Sequence, residues 1–111
     1  ELAISIAVAT SMAKETGLPP YHYSTSNAKL INDQRPYIYA RNLLANRIYH
    51  CPVIFLEPYV MNNSTFYNRA IAGTYSGAKM VSGKKRKSLI HEYADGVVGG
   101  LVNYYRMKRA N

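Results

Sequence analysis

The chain has one cysteine, no tryptophan, two phenylalanines and six acidic residues among 111. A single thiol, Cys51, excludes an internal disulfide and supplies no cysteine pair for a metal. It immediately precedes an apolar run and reads as a small buried hydrophobe. No uninterrupted apolar stretch nears the roughly 20 residues that span a bilayer. The segment 3–9 is short and lacks the basic flank of a signal peptide. Internal repeats and low-complexity tracts are also missing.

Hydrophobic residues make up 48% and charged residues 18%, a globular composition sufficient for about one small domain. Glu1 stands first, and the apolar pattern is already under way at Leu2. The expectation is a processed or truncated chain from a longer protein. The scarcity of acids leaves a net charge of +8, with 14 Lys and Arg. Such a balance favours polyanionic partners. Basic residues cluster at Lys84, Lys85, Arg86 and Lys87, and again at Arg106, Lys108 and Arg109. Those clusters are either a solvated loop and tail or a grip on a polyanion. No helix-turn-helix, RNP-like or zinc-finger pattern is present, so nucleic acid is not the expected partner.

Leu2, Ile6, Ala9 and Ala13 recur at helical spacing, and Gly17, Pro19 and Pro20 end the helix. Residues 18–36, punctuated by Pro19, Pro20, Asn27, Asn32, Asp33 and Pro36, read as a long loop with a short extended piece. Tyr37, Ile38 and Tyr39 favour a strand, whereas 42–48 is either strand or helical turn. Pro52-Val53-Ile54-Phe55-Leu56 is apolar on both alternating faces and predicts a central strand covered by helices on both sides. Asn62, Asn63 and Ser64 signal a helix start, with a short helix over 66–72. A Gly-, Ser- and Lys-rich loop over 73–87 follows. Ile90, Ala94, Val97, Leu101 and Tyr105 then line one face of a terminal helix. Gly96, Gly99 and Gly100 each weaken that helix by roughly 1 kcal/mol against alanine, which predicts close approach of its backbone to a sheet. These elements imply an α/β fold, a three-layer sheet with covering helices, whose remaining strands lie upstream.

Glu57 ends the apolar strand, and Pro58 turns the chain out of it. Ligands of α/β sheets bind beyond the carboxyl ends of strands. A carboxylate leaving a dry strand end is suited to general base work. The alternative from spacing alone is a structural ion pair with Arg41 or Arg47. Arg47 itself is either a surface or ion-pair arginine, or a fork that orients substrate oxygens. His22, His50 and His91 have no His-x-x-x-His or Glu-x-x-His spacing. His50 reads as structural and His91 as a surface residue; His22, between two tyrosines, is a surface residue or lines a groove. The 11 tyrosines suit sugar and peptide contacts, those near 37–39 and 104–105 reading as packing.

Asn42-Leu43, Arg47, Pro52-Val53-Ile54-Phe55-Leu56-Glu57 and Asn63 together resemble a segment of the zinc-dependent N-acetylmuramoyl-L-alanine amidases. The helix from Glu1 to Leu18 is similar to the one after that family's last zinc histidine, and 92–105 to its terminal helix. Tyr59-Val60-Met61 departs from the family's Gly-Phe turn. The resemblance implies that 1–111 is the C-terminal part of an amidase catalytic domain, with upstream strands and zinc ligands absent. It implies a hydrolase of peptidoglycan, cutting the amide between N-acetylmuramic acid and L-alanine. A zinc-bound water would attack, with Glu57 as general base and Arg47 and Asn42 binding substrate. No metal ligand is expected within these residues. Peptidoglycan is the implied partner, anionic wall polymers a further one, and the implied location is extracytoplasmic, in periplasm or cell wall. A non-catalytic basic binding module and a degenerate amidase-like scaffold are the alternatives.

Overall fold

Small residues alternate with apolar, largely β-branched ones in the first turns of the chain, and they form the 15-residue helix α1 (Leu2–Thr16) in a computed structural model that describes residues 1–31, 33, 34 and 37–110. Asn32 and Pro36, read above as loop punctuation, lie outside the described residues. The helix closes on Gly17, whose φ of 60° places it in the left-handed region and lets its N–H reach the Ala13 carbonyl. The Thr16 hydroxyl donates back to the Met12 carbonyl at 2.8 Å. The buried face is Val8, Met12 and Thr16, so the helix buries the Val8 and Met12 edge of the apolar stripe, which Ile4, Val8 and Met12 widen beyond the Leu2, Ile6, Ala9 and Ala13 line.

The extended piece expected within the long loop is β1 (Ala28–Leu30), and the Tyr37–Tyr39 signal is β2 (Tyr39–Arg41). They pair antiparallel, with Lys29 opposite Ala40. The ambiguous stretch resolves as one helical turn and more, α2 (Leu44–Ile48). α3 (Ser64–Ile71) starts where the asparagines signal it, the Asn63 side chain accepting from the Phe66 N–H at 2.9 Å.

Two expectations are corrected here. Residues 52–60 belong to no helix or strand and have no ladder partner among the described residues. Their periodicity is that of a covered strand, but Pro52, Phe55 and Glu57 are exposed and the others half-buried, since no neighbouring strand among the described residues pairs with them. The expected loop over 73–87 instead contains a hairpin, β3 (Lys79–Val81) and β4 (Lys84–Arg86), with Val81 opposite Lys84. Ser82 and Gly83 have φ of 50° and 75°, the two positive values that a two-residue type I′ turn requires. Three-residue strands rich in lysine carry too little apolar alternation to announce themselves.

The 21-residue α4 (Leu89–Arg109) closes the chain against α1. Its glycines serve a close approach, but to a helix and not to a sheet. A Cβ on Gly96 would lie 2.9 Å from the Met12 Cα, and one on Gly99 2.8 Å from the Ser11 Oγ. One on Gly100 would overlap the Val8 backbone outright. The α4 residues facing inward are therefore Glu92, Gly96 and Gly100. Ile90, Ala94 and Tyr105 of the expected apolar stripe are exposed, and Val97 and Leu101 half-buried, because the backbone contact rotates that stripe off the interface.

One buried charge cluster ties these elements together. Arg69 of α3 and Glu92 of α4, each 3% exposed, form an ion pair, and Arg86 of β4 lies 3.7 Å from the other Glu92 oxygen. Both arginines also donate to the Thr16 carbonyl at the end of α1, at 2.9 and 3.1 Å. Burial, then the charge of Arg86, pulls Arg69 below its ordinary value. The described residues make a mixed α/β structure, with four helices and two separate two-stranded antiparallel sheets.

Candidate functional site

Pro58 and the unpaired segment before it place Glu57 at the edge of a cavity of about 320 Å³. One wall is α1, through Val8, Met12 and Thr16; another is 53–60; a third is the tyrosine-rich stretch from Tyr21 to Arg41. Glu57 is not dry, as the sequence suggested. Its side chain is 53% exposed, because no paired strand encloses it.

Two neighbours hold the carboxylate. The Tyr23 hydroxyl donates to Oε2, and Arg41 Nη1 lies 3.4 Å from Oε1. The arginine of the ion-pair alternative is thus Arg41, at the end of β2, and not Arg47. The hydrogen bond to Glu57, then burial and the carboxylate's charge, push the Tyr23 phenol up to about 12. Tyr23 therefore remains a donor throughout the neutral range. Its ring is fixed edge-on by Tyr21 and Tyr39, with centroids 5.1 and 4.9 Å away, and the Arg41 guanidinium lies 5.9 Å from its centre. Backbone carbonyls fix the outer tyrosines: Tyr39 donates to Tyr21 at 3.0 Å and Tyr37 to Leu18 at 3.3 Å. Arg41 Nε is buried with no acceptor among the described residues, which leaves a donor beside the carboxylate.

The turn after Glu57 is fixed by aromatic packing. Tyr59 stacks on Phe66 at 5.0 Å and donates to the Leu89 carbonyl at 3.1 Å. Burial raises its phenol above the ordinary value.

The other sequence candidates fall elsewhere. Asn42 and Arg47 are both exposed, and neither lines this cavity. His22 is exposed and also lies off the cavity wall. His50 is exposed, and His91 is exposed with its ring nitrogen 2.9 Å from the Ser88 hydroxyl. Cys51 is exposed, contrary to the buried reading, since the segment it introduces has no sheet to enter. Arg41 was named from the sequence only as a structural ion-pair partner of Glu57, and Tyr23 was not singled out at all. The signal for Tyr23 was its place in a long polar loop, and that for Arg41 its charge close before the glutamate strand.

The carboxylate can accept a proton and hand it on, and the tyrosine and arginine can position it while it does so. No group of three or more His, Cys, Asp or Glu side chains among the described residues could hold a metal ion. A zinc ion at this site would draw its ligands from outside these residues, so the residues present do not by themselves fit one. No protein-family model matches the chain, and no curated protein or solved structure matches it either.

Proposed function

We infer that the chain is the C-terminal part of the catalytic domain of a zinc-dependent N-acetylmuramoyl-L-alanine amidase, a peptidoglycan hydrolase. One observation carries the reading: the Glu57 carboxylate, at the mouth of a cavity, is held at both oxygens by Tyr23 and Arg41. A carboxylate fixed in this way can take a proton from an attacking water and deliver it to the departing amine of alanine. Tyr23 and Arg41 are positioning residues in this scheme, keeping the two oxygens in one orientation. The metal of the resemblance stays with ligands outside these residues. Asn42 and Arg47, exposed, would meet substrate only beyond the cavity.

The distribution of apolar surface supports membership in a larger three-layer domain. Phe55, Ile48, Ile90, Val98 and Val102 are exposed, while the buried apolar core is built around Val8, Met12 and Ile38. Apolar surface of this extent on a small domain marks a face meant for other structure. Strands laid beside 52–56 would convert that segment into the central strand its sequence describes. The experiment is hydrolysis of a soluble muramyl peptide by the longer protein that supplies the zinc ligands, loaded with zinc, followed by the appearance of a free alanine amine. Release of that amine is the expected result, and intact substrate would remove the reading.

A further inference from the structure

The hairpin β3–β4 carries charge that the rest of the molecule does not neutralise. Five of the six acidic residues are engaged elsewhere. Glu1 accepts from the Val53 N–H at 2.7 Å, Glu57 pairs with Arg41, and Glu92 with Arg69 and Arg86. Glu15 and Asp95 both hold Lys87, at 3.3 and 2.6 Å. Lys79, Lys84 and Lys85 are exposed and form no ion pair among the described residues. The pairing register makes this worse, because Lys79 stands directly opposite Arg86. Like charges at directly opposed positions destabilise a two-stranded ribbon.

The ribbon is nevertheless held firmly. Val81 is buried, and Arg86 is drawn inward to Glu92 and the Thr16 carbonyl. The Tyr75 hydroxyl bridges the carbonyls of Arg86 and Lys87 at 3.1 and 3.0 Å. At the turn, the Asn68 side chain donates to the Ser82 hydroxyl at 3.3 Å. A fixed ribbon bearing unneutralised lysines is preorganised for an anionic partner, which would meet no ordering cost in the backbone.

We propose that the β3–β4 hairpin is a binding surface for a linear phosphodiester polymer, gripped by Lys79, Lys84 and Lys85. Lysines are point charges on flexible stems, which suit evenly spaced single charges along a chain; arginine forks suit bidentate recognition of a fixed group. The exposed partner of Lys85 is Met80, 69% exposed, and not an aromatic ring. Tyr75, a ring beside the ribbon, is covered by Lys79 Nζ at 4.6 Å. A base stacking on that ring would have to displace the lysine, so the fitting polymer is one without bases, such as poly(glycerol phosphate). Placing that polymer in a cell wall rests on the hydrolase reading; the charge argument does not. Lysines on short ribbon edges also deter sheet-to-sheet pairing, and the experiment separates the two roles.

The measurement is binding of the chain to poly(glycerol phosphate) across a salt series, beside single-stranded DNA of equal charge. The triple substitution Lys79→Gln, Lys84→Gln, Lys85→Gln should weaken polymer binding about tenfold or more and reduce the salt slope by about 2. Arginine at the same three positions should retain binding, and so should glutamine at Arg106, Lys108 and Arg109. Single Lys84→Gln and Lys85→Gln variants, at solvent-exposed sites, report the same trend should the triple variant unfold. Unchanged binding in the glutamine variants, or none in the parent chain, would overturn the proposal. Tighter binding of the DNA than of the polymer would overturn it as well, in favour of a nucleic acid. Hydrolysis of a soluble muramyl peptide, which carries no polymer, is read separately and isolates Glu57.

Discussion

At Glu57 the chain brings a carboxylate, a phenol and a guanidinium within contact of one another. Tyr23 is the member whose chemistry the neighbours alter most. Its phenol, raised from 10.0 to about 12, favours the folded state fully below pH 10, and that contribution disappears as pH rises through about 12. A difference titration of phenolate absorbance between the parent and Tyr23→Phe should show one group ionising near 12, and Glu57→Gln should bring it back toward 10. A Tyr23 titration that ignores Glu57 would mean that the contact does not form in solution. The buried partner of Arg69 gives a second expectation at this scale. Glu92→Gln leaves a 3%-exposed guanidinium without its counter-charge, and loss of one member of a buried pair costs about 3–5 kcal/mol. Urea unfolding should show a loss of that size, and a loss below about 1 kcal/mol would place the cluster in water. The sequence indicated Glu57 through the proline that follows it, but it gave no sign of Glu92 or Arg69. Their pairing depends on α3 and α4 meeting the end of α1, a contact between residues far apart in the chain.

At the scale of elements, α1 and α4 pack through backbone and not through interlocking side chains. Helix propensity alone would make Gly100→Ala stabilising by about 1 kcal/mol. The Val8 backbone occupies the place of the new methyl, so the expected result is a loss of about 3 kcal/mol in urea unfolding. A gain would show that the helices are not this close. Helices were the more legible elements: α1 carries its own stop signal and α3 its own start signal, and the asparagine cap of α3 works as its type predicts. Which face of α4 points inward was not legible, because periodicity seeks large apolar residues and this interface is made of glycines. The β3–β4 hairpin was missed for a related reason. Its strands are three residues long, and its Ser82-Gly83 turn is a weaker signal than Asn-Gly. The 52–56 segment failed in the opposite direction, a strong strand pattern without a partner to pair with.

Taken whole, the molecule separates its surfaces by chemistry. A half-open cavity bears the carboxylate, a lysine ribbon bears the uncompensated charge, and α4 with 52–56 presents apolar side chains to the outside. No helix is long and apolar enough to cross a membrane among the described residues. Under the proposed function, the ribbon would hold a polymeric substrate by charge, Glu57 would serve its cleavage, and the apolar side chains would dock against further strands. At this scale the sequence supplied the charge excess and the strand-end glutamate, while the cavity required tyrosines from one loop and α1 from another part of the chain. The central claim is that Glu57 moves the proton in amide hydrolysis. Its most direct test is the turnover of a soluble muramyl peptide by the longer protein that supplies the zinc ligands, loaded with zinc, compared with its Glu57→Gln variant. Loss of general acid–base help should lower kcat by about 10²–10⁴ with the fold intact by circular dichroism. A Glu57→Gln protein that turns over at the parent rate would contradict the account.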